Sequence, residues 1–239
     1  DCLLSRGLGD VYKRQIKVFS QITRKARELG FMVPTIKKRP DGEEQGYEGA
    51  TVLEAHVGAY YEPITALDFA SLYPSIMMAH NLCFSSMVRD KAYADVPGVT
   101  YESWEVGGET YTFAQDVPSL LPVVLAELKE FRKKAKKLMA QHRGTQMEEI
   151  YNGQQLAYKI SMNSIYGFCG ASRGMLPCVP IAATTTCQGR AMIGMTKKCV
   201  EDNFPGATVR YGDTDSVMVQ FDSTGMNTEE AIRNSWDLG

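Results

Sequence analysis

Residues 62 to 76 have the sequence EPITALDFASLYPSI, in which one acid, Asp68, follows an apolar run. The run predicts a buried β-strand over residues 59–67, followed by turn-forming residues. An isolated carboxylate at the end of such a strand is unfavourable unless a positive charge lies beside it. We therefore expect either a basic side chain or a metal ion next to Asp68.

Two further acids lie in the segment YGDTDS, residues 211–216, which has the composition of a hairpin turn. Residues two apart in a strand point to the same side, so Asp213 and Asp215 face one volume unless the turn twists them apart. If this hairpin neighbours the strand of Asp68, three carboxylates meet at one edge of a sheet. Such carboxylates repel one another, and their oxygen ligands favour Mg²⁺ over Zn²⁺. The alternative is a polar surface turn, in which Asp and Gly are common.

The composition is that of a chain with a substantial core, because 44% of the 239 residues are hydrophobic. A net charge of −2 does not indicate a nucleic-acid binder, but residues 129–143 hold seven Lys or Arg against one Glu. The six cysteines form no C-x-x-C pair, so we expect reduced thiols. The absence of a long apolar run or a signal peptide predicts an intracellular protein that does not bind membranes.

The hydrophobic pattern predicts an α+β fold in which a pair of helices projects from a sheet. Helices are expected at residues 16–29 (with Gly30 as the C-cap), 73–80, 119–141, 147–166 and 184–202. Strands are expected at residues 50–55 and 59–67, in a hairpin about Gly107 and Gly108, and in two arms about residues 212–215. A polar stretch at residues 34–49 is expected to be a linker. Residues 1–15 have no clear periodicity, which leaves two interpretations: a non-native leader or an ordinary frayed terminus.

The two longest predicted helices carry polar side chains that can bind an anion. Residues four apart share a helix face, and Arg132 pairs in this way with Lys136, as Lys159 does with Asn163. The short connection between the helices implies an antiparallel pair, which can present all four side chains to one ligand. Phosphoryl transfer requires such groups around polyphosphate oxygens. For the other lysines of residues 132–137, a solvated helix face is the simpler interpretation.

Four short motifs together resemble those of the family B DNA polymerases. They are YEGA at residues 47–50, DFASLYPSI at 68–76, KISMNSIYG at 159–167 and YGDTDS at 211–216. The segment IMMAHNLCFSS, residues 76–86, is also similar to the delta-type replicative enzymes of eukaryotes and to those of large DNA viruses. The resemblance covers roughly residues 16–222. Four motifs in order at compatible spacing are far more specific than any one of them.

The resemblance implies a partial polymerase right-hand fold, with a palm sheet and an antiparallel two-helix fingers insertion. The implied domains are the end of an exonuclease region with a linker (16–49), the first part of the palm (50–117), the fingers (118–166) and a truncated second part of the palm (167–239). Because family members are several times longer, we expect a partial chain without the exonuclease, the thumb and any C-terminal cysteine-rich metal module.

The implied activity is template-directed DNA synthesis, in which two Mg²⁺ ions assist the transfer of a nucleotide from a deoxynucleoside triphosphate to a primer 3′-hydroxyl. The resemblance makes Asp68, Asp213 and Asp215 the catalytic acids. Asp68 and Asp215 match the carboxylates that bind both ions, and Asp213 matches the adjacent acid, whose coordination is less direct. Phe69 would offer its backbone carbonyl to the ion on the nucleotide side.

The resemblance also implies a nucleotide site with contributions from two parts of the chain. The backbone N–H groups at the opening of one helix would receive the β- and γ-phosphates; they are those of Ser71, Leu72 and Tyr73. The ring of Tyr73 would lie under the incoming sugar and exclude a 2′-hydroxyl. Polar side chains on the fingers match phosphate-binding positions: Arg132 and Lys159, with Lys136 and Asn163 as weaker candidates.

The implied partners are primer–template DNA and deoxynucleoside triphosphates, together with a processivity factor and accessory subunits in the full-length protein. Tyr47 and Gly49 would touch the template strand, and Tyr166 and Gly167 would border the nascent base pair. The resemblance places the protein in the nucleus if its source is a eukaryotic cell, and in the host cell if its source is a virus.

Two functions of other classes compete with this one. A catalytically inactive, polymerase-like scaffold would bind DNA or a partner, but it would not need the intact acids Asp68 and Asp215. A different metal-dependent phosphoryl-transfer enzyme, such as a nucleotidyl cyclase, could share the sheet. The paired helices that carry Lys159 and Asn163 do not suit a cyclase.

Overall fold

The computed structural model describes residues 2–33, 46–172 and 174–239, without the side chains of residues 2–14 and Lys91. The α-helices of these residues are α1 (Cys2–Leu29), α2 (Leu72–Ala79), α3 (Leu120–Gln141), α4 (Gln146–Gly170), α5 (Val179–Asn203) and α6 (Thr228–Leu238). The strands are β1 (Val52–Leu53), β2 (Thr65–Asp68), β3 (Tyr101–Val106), β4 (Glu109–Ala114), β5 (Thr208–Asp213) and β6 (Ser216–Gln220), and Lys91–Tyr93 form one turn of 3₁₀ helix. The fold is thus a mixture of helices and small antiparallel sheets, as predicted.

The chain divides into two compact units. The helical unit comprises residues 1–47 and 73–185, and the sheet unit comprises residues 48–72 and 186–239. Helices α2 and α5 contribute residues to both. These bounds differ from those of the predicted domains, and the assignment of palm and fingers stays a prediction. The predicted linker lies mostly outside the described residues.

The helical unit is built around the antiparallel pair α3 and α4. Leu121, Leu125 and Leu128 recur at helical spacing on α3 and are buried, as are Ile165 and Phe168 on α4. Both helices were predicted, but α4 continues four residues beyond the predicted end at residue 166. The reason is that the buried stripe of α4 continues through its last turn, where packing stabilises the helix.

Helix α1 packs on this pair. Ile22 and Ala26 are buried, the rings of Phe19 and Phe168 lie 6.5 Å apart, and Lys25 forms an ion pair with Glu127 of α3. The hydrogen bond from Lys25 to Glu127 raises the pKa of the lysine. The predicted start at residue 16 was wrong, because the helix begins at Cys2. Extending an existing helix costs far less than nucleating one, so no periodic pattern is required at residues 2–15.

The hairpin β3–β4 has the predicted turn. Tyr101 pairs with Ala114, and Val106 pairs with Glu109 across the turn residues Gly107 and Gly108. Both glycines have positive φ, 62° and 84°, as a two-residue type I′ turn requires.

The sheet unit contains a four-stranded antiparallel sheet in the order β1-β5-β6-β2. One face of the sheet is buried: Val209, Val217 and Val219 pack with Ile193 and Val200 of α5. Side chains alternate between this face and an exposed one, so β2 has one half-buried side and one open side. The open face of the sheet carries Asp68 and Asp213.

Two strand predictions need correction. Strands β1 and β2 are shorter than predicted, and residues 59–64 form no strand, because Pro63 cannot donate a ladder hydrogen bond and Tyr61 is 97% exposed. Asp68 was expected to be buried, but it is exposed. The four residues of β2, TALD, alternate between a half-buried and an exposed face, so the strand is not covered on both sides. Helix α5 also begins five residues before its predicted start.

The cysteine prediction is confirmed for the residues whose side chains are described: Cys83, Cys169, Cys178, Cys187 and Cys199 are free. Burial raises the pKa of the Cys169 and Cys178 thiols, which keeps both protonated at neutral pH. Among the described residues, no helix is both long enough and apolar enough to cross a membrane.

Candidate functional site

Asp68 and Asp213 lie in one row across the open face of the sheet. Asp68 of β2 pairs with Ser216 of β6, and Ser216 pairs in turn with Asp213 of β5. Residues paired directly across strands point to the same face, and Asp68 and Asp213 are both exposed. Two interstrand spacings put their backbones about 10 Å apart. The sheet thus brings together two acids that are far apart in the sequence.

Asp215 reaches the same end of the sheet through a turn. It lies outside both strands, after Thr214, which has a φ of 55°, so the same-face argument from strand alternation does not apply to it. Its N–H donates to the Asp213 carbonyl at 2.6 Å, and its own carbonyl accepts the N–H of Phe69 at 2.8 Å. The backbone therefore ties the turn that carries Asp215 to the residue that follows Asp68.

The three acids suit Mg²⁺ by ligand chemistry, because they offer only oxygen and Asp68 and Asp213 lie on an open face. As their side chains stand, however, the described residues include no group of three His, Cys, Asp or Glu side chains that could hold a metal ion. Asp213 accepts a hydrogen bond from the Thr214 hydroxyl at 2.8 Å. No described residue forms a salt bridge to Asp68, and an exposed carboxylate does not need one.

A strand–turn–helix unit follows Asp68 directly. Strand β2 ends at Asp68 and α2 begins at Leu72, which is buried. Ser71 precedes the helix with a φ of 56°, a left-handed conformation that is unfavourable for a residue other than glycine. The first N–H groups of an α-helix have no partner within the helix, so a helix N-terminus can bind an anion. This turn contains all three predicted phosphate-binding residues of this segment: Ser71, Leu72 and Tyr73.

On the helix pair, the predicted phosphate-binding residues fall into two groups. Arg132 is half-buried and donates from Nε to Oε1 of Gln155 at 3.4 Å. Lys159 is exposed one turn beyond Gln155, about 6 Å along α4, and Asn163 is exposed one turn further. Because the helices are antiparallel, Lys136 lies one turn from Arg132 in the opposite direction. Arg132 and Lys159 are thus neighbouring positions, whereas Lys136 and Lys159 are about 12 Å apart along the helices.

Three tyrosines named by the sequence form one cluster in the helical unit. The rings of Tyr73 and Tyr166 are 4.6 Å apart, and the Tyr166 hydroxyl is 3.1 Å from that of Tyr47. The structure therefore brings together the residues predicted to contact the sugar, the nascent base pair and the template. Gly49 and Gly167, the predicted glycines, are exposed, and a Cβ at either position would meet no atom within 4 Å.

Sequence reasoning missed Gly170, which makes room for Tyr47. A Cβ on Gly170 would lie 2.3 Å from the Tyr47 hydroxyl oxygen and 3.3 Å from Cβ of Ala182. Nothing in the local sequence signals this need, because Tyr47 is distant along the chain.

Sequence reasoning also missed Arg190 of α5. Its guanidinium donates to the carbonyls of Glu48 and Gly49 at 2.9 and 2.7 Å and forms an ion pair with the Glu48 carboxylate. The only available signal was the presence of a single basic residue in an otherwise apolar and hydroxyl-rich part of a predicted helix.

Comparison with known proteins agrees with the motifs. The family model described as DNA polymerase family B matches residues 10–235. A DNA polymerase of Paramecium bursaria Chlorella virus NY2A is 46% identical over 217 residues, which are 87% of this chain and 23% of the viral protein. The DNA polymerase delta catalytic subunit of Glycine max is 45% identical over 240 residues, 96% of this chain and 21% of the plant protein. The chain thus spans about a fifth of the length of these relatives.

A solved structure is similar as well. It is that of the family B DNA polymerase from the hyperthermophilic archaeon Pyrobaculum calidifontis, with a TM-score of 0.65 and 27% sequence identity. The similarity covers 90% of this chain and 27% of the archaeal one. With four motifs in order and a family model that matches nearly every residue, this chain belongs to the family B DNA polymerases.

Proposed function

We propose that the chain is part of a DNA-directed DNA polymerase, which transfers nucleotides from deoxynucleoside triphosphates to a primer 3′-hydroxyl as a template directs. The observation that carries this proposal is the row Asp68–Ser216–Asp213, with Asp215 in the adjoining turn. The relatives named above are polymerases, and their names give no support to an inactive scaffold. We infer further that the sheet unit supplies part of the palm, and that α3 and α4 are the fingers.

We assign the binding of two Mg²⁺ ions to Asp68 and Asp215, with Asp213 as the adjacent acid and the Phe69 carbonyl as a further oxygen. When bound, such ions lower the pKa of the attacking hydroxyl and neutralise charge on the transferred and leaving phosphates. The protein's part is to hold these oxygens together. The backbone hydrogen bond from the Phe69 N–H to the Asp215 carbonyl contributes to this, because it joins the end of β2 to the turn that carries Asp215.

The triphosphate would be bound by neutral donors and by cations, each with its own role. The N–H groups of the turn into α2 orient phosphate oxygens, as helix N-termini commonly do. On the fingers, we give the leading roles to Arg132 and Lys159, because the contact between Arg132 and Gln155 puts these two positions side by side. Lys136 lies farther from Lys159 along the helices than Arg132 does, so we give it a smaller role in phosphate binding. Asn163 lies one turn beyond Lys159 on α4.

The proposed DNA contacts use the tyrosine cluster. Tyr166 and Gly167 would border the nascent base pair, and Tyr47 and Gly49 would touch the template strand. The contact between the Tyr47 and Tyr166 hydroxyls supports this assignment, because it places the two proposed contact positions next to each other. A processivity factor and accessory subunits stay predictions for the full-length protein.

Replacement of one acid tests the proposed function. In the full-length polymerase, Asp215→Asn keeps the size of the side chain but removes the charge that metal binding requires. We expect single-nucleotide incorporation to fall by at least about a thousandfold, with little change in affinity for primer–template DNA. Asp202→Asn, at an exposed position of α5 that pairs with Lys198, is the matched control and should retain full activity. Near-normal turnover by Asp215→Asn would refute the metal assignment.

A further inference from the structure

A bulge in β5 turns Arg210 towards the open face of the sheet. The pairing of β5 with β6 shifts by one residue at this position, so Arg210 is the extra residue of a β-bulge. Its guanidinium bonds to Gln220, which lies two residues beyond the exposed Met218 on β6 and therefore shares its face. Arg210 thus lies on the face that carries Asp213, about 10 Å from it along β5.

Three neutral groups hold the guanidinium of Arg210. Its Nε donates to Oε1 of Gln220 at 2.8 Å, its Nη1 lies 3.4 Å from Nδ1 of His56, and its Cζ lies 4.8 Å from the centre of the Tyr60 ring. Gln220 donates in turn to the Glu62 carboxylate, so this acid reaches the guanidinium only through the amide. Within the described part of the chain, Arg210 is therefore held in place without a direct ion pair that would neutralise its charge.

The loop that carries His56 and Tyr60 is fixed on the same residue. The His56 N–H donates to the Arg210 carbonyl at 2.9 Å, and the Tyr60 hydroxyl donates to the His56 carbonyl. A guanidinium can only donate hydrogen bonds, so Nδ1 of His56 accepts and the imidazole proton lies on Nε2. His56 is exposed, and neither its Nε2 nor Nη2 of Arg210 has an acceptor among the described residues. Two fixed donors, one of them charged, suit a phosphate.

The direction along the sheet favours the primer over the incoming nucleotide as the source of this phosphate. Strands β2 and β5 are parallel to each other, because each pairs antiparallel with β6. The turn assigned to the triphosphate lies beyond the end of β2, after Asp68, whereas Arg210 lies before the end of β5. The acids therefore separate Arg210 from that turn.

We propose that Arg210, with His56 beside it, binds a backbone phosphate of the primer strand a few nucleotides from the 3′ end. This proposal rests on the proposed function, which puts the primer 3′-hydroxyl at the acids of the open face. The phosphates of one strand follow one another about every 3.4 Å along a duplex, so a distance of about 10 Å from Asp213 corresponds to roughly three nucleotides. Such a contact holds the primer without reading its sequence.

Removal of the charge at residue 210 should weaken the binding of primer–template DNA in a salt-dependent way. In the full-length polymerase, we expect Arg210→Gln to lower affinity about tenfold, as for the loss of a hydrogen bond to a charged group. The slope of log affinity against log salt should fall by about one. Arg210→Met keeps a long side chain against Tyr60 and should give the same result, also if Arg210→Gln fails to fold. Lys198→Gln should change neither quantity, because α5 packs on the opposite face of the sheet.

Primers with one neutral linkage identify the strand that is bound. A methylphosphonate replaces, in turn, each of the four phosphates nearest the primer 3′ end. At one of these positions it should weaken binding by the parent as much as Arg210→Gln does, and it should have no further effect on that variant. The same replacement in the template strand should affect both proteins equally. The KM for the nucleotide and the kcat at saturating DNA should stay within about twofold, because the proposed contact is not with the nucleotide.

An unchanged salt slope in both variants of residue 210 would overturn the proposal, because Arg210 would then serve only to fix the loop of Tyr60. Equal losses in parent and variant at every neutral primer linkage would also overturn it. So would a raised KM for the nucleotide with parental affinity for DNA, since the phosphate would then belong to the nucleotide. Failure of the unaltered polymerase to synthesise DNA would instead count against the proposed function, because the binding measurements do not depend on synthesis.

Discussion

Tyr73 is the residue for which the proposed function makes the most specific prediction. Its ring is half-buried beside Tyr166, in the first turn of α2. If the ring lies under the incoming sugar, bulk alone excludes a 2′-hydroxyl. Tyr73→Ala should then accept ribonucleotides about ten- to a hundredfold more readily, the range that overpacking penalties of about 1–3 kcal/mol give. The measurement is the ratio of kcat/KM for matched deoxy- and ribonucleotides in the full-length enzyme.

Tyr73→Phe is the matched control, because it removes the hydroxyl and keeps the ring. Its preference for deoxynucleotides should remain close to that of the parent. If Tyr73→Ala also keeps the parental preference, residue 73 serves packing alone and the assignment is wrong.

Among the elements, α4 offers a paired test of its glycines. A Cβ at Gly170 would overlap the Tyr47 hydroxyl oxygen, whereas one at Gly153 would meet nothing within 4 Å. Gly170→Ala should lower the free energy of unfolding by about 1–3 kcal/mol, because the ring must move. Gly153→Ala should raise it by up to about 1 kcal/mol, because alanine favours the helix. Urea denaturation of the 239-residue chain measures both.

The interaction with Tyr47 can be isolated by a second substitution. In a Tyr47→Ala background the added Cβ has room, so most of the cost of Gly170→Ala should disappear. An equal cost in both backgrounds would mean that the glycine is needed for another reason, such as contact with Ala182.

The elements that the sequence predicts well are those with local causes. The turn at Gly107 and Gly108 needs positive φ at both positions, and the pair α3 and α4 has apolar residues at regular spacing. The exposure of Asp68 was not predictable in this way, because it depends on which face of the sheet other elements cover. Gly170 and Arg190 were not predicted from the sequence, for a related reason. Their partners lie more than a hundred residues away along the chain, and no local pattern records them.

For the whole molecule, the charge balance predicts weak activity by the 239 residues alone. The chain has 26 basic and 28 acidic residues, so it offers no net attraction to duplex DNA. We expect primer extension by the purified chain to stop after very few nucleotides when a DNA trap prevents rebinding. A full-length relative, such as the chlorella virus polymerase, serves as the positive control. Long products from the isolated chain would contradict this expectation.

The sheet draws its strands from two distant stretches of the chain, since Asp68 pairs with Ser216. For the sheet, residues 73–185 of the helical unit form one long connection between β2 and the part of α5 that packs on the sheet. The entropy lost on closing a flexible connection grows only with the logarithm of its length, about 0.6 kcal/mol for each doubling. Evolution can therefore lengthen or shorten the intervening helices and hairpin at almost no cost to the pairing of the acid-bearing strands. Descendants of such a polymerase are free to diverge in the length of this connection while the chemistry at its two ends stays the same.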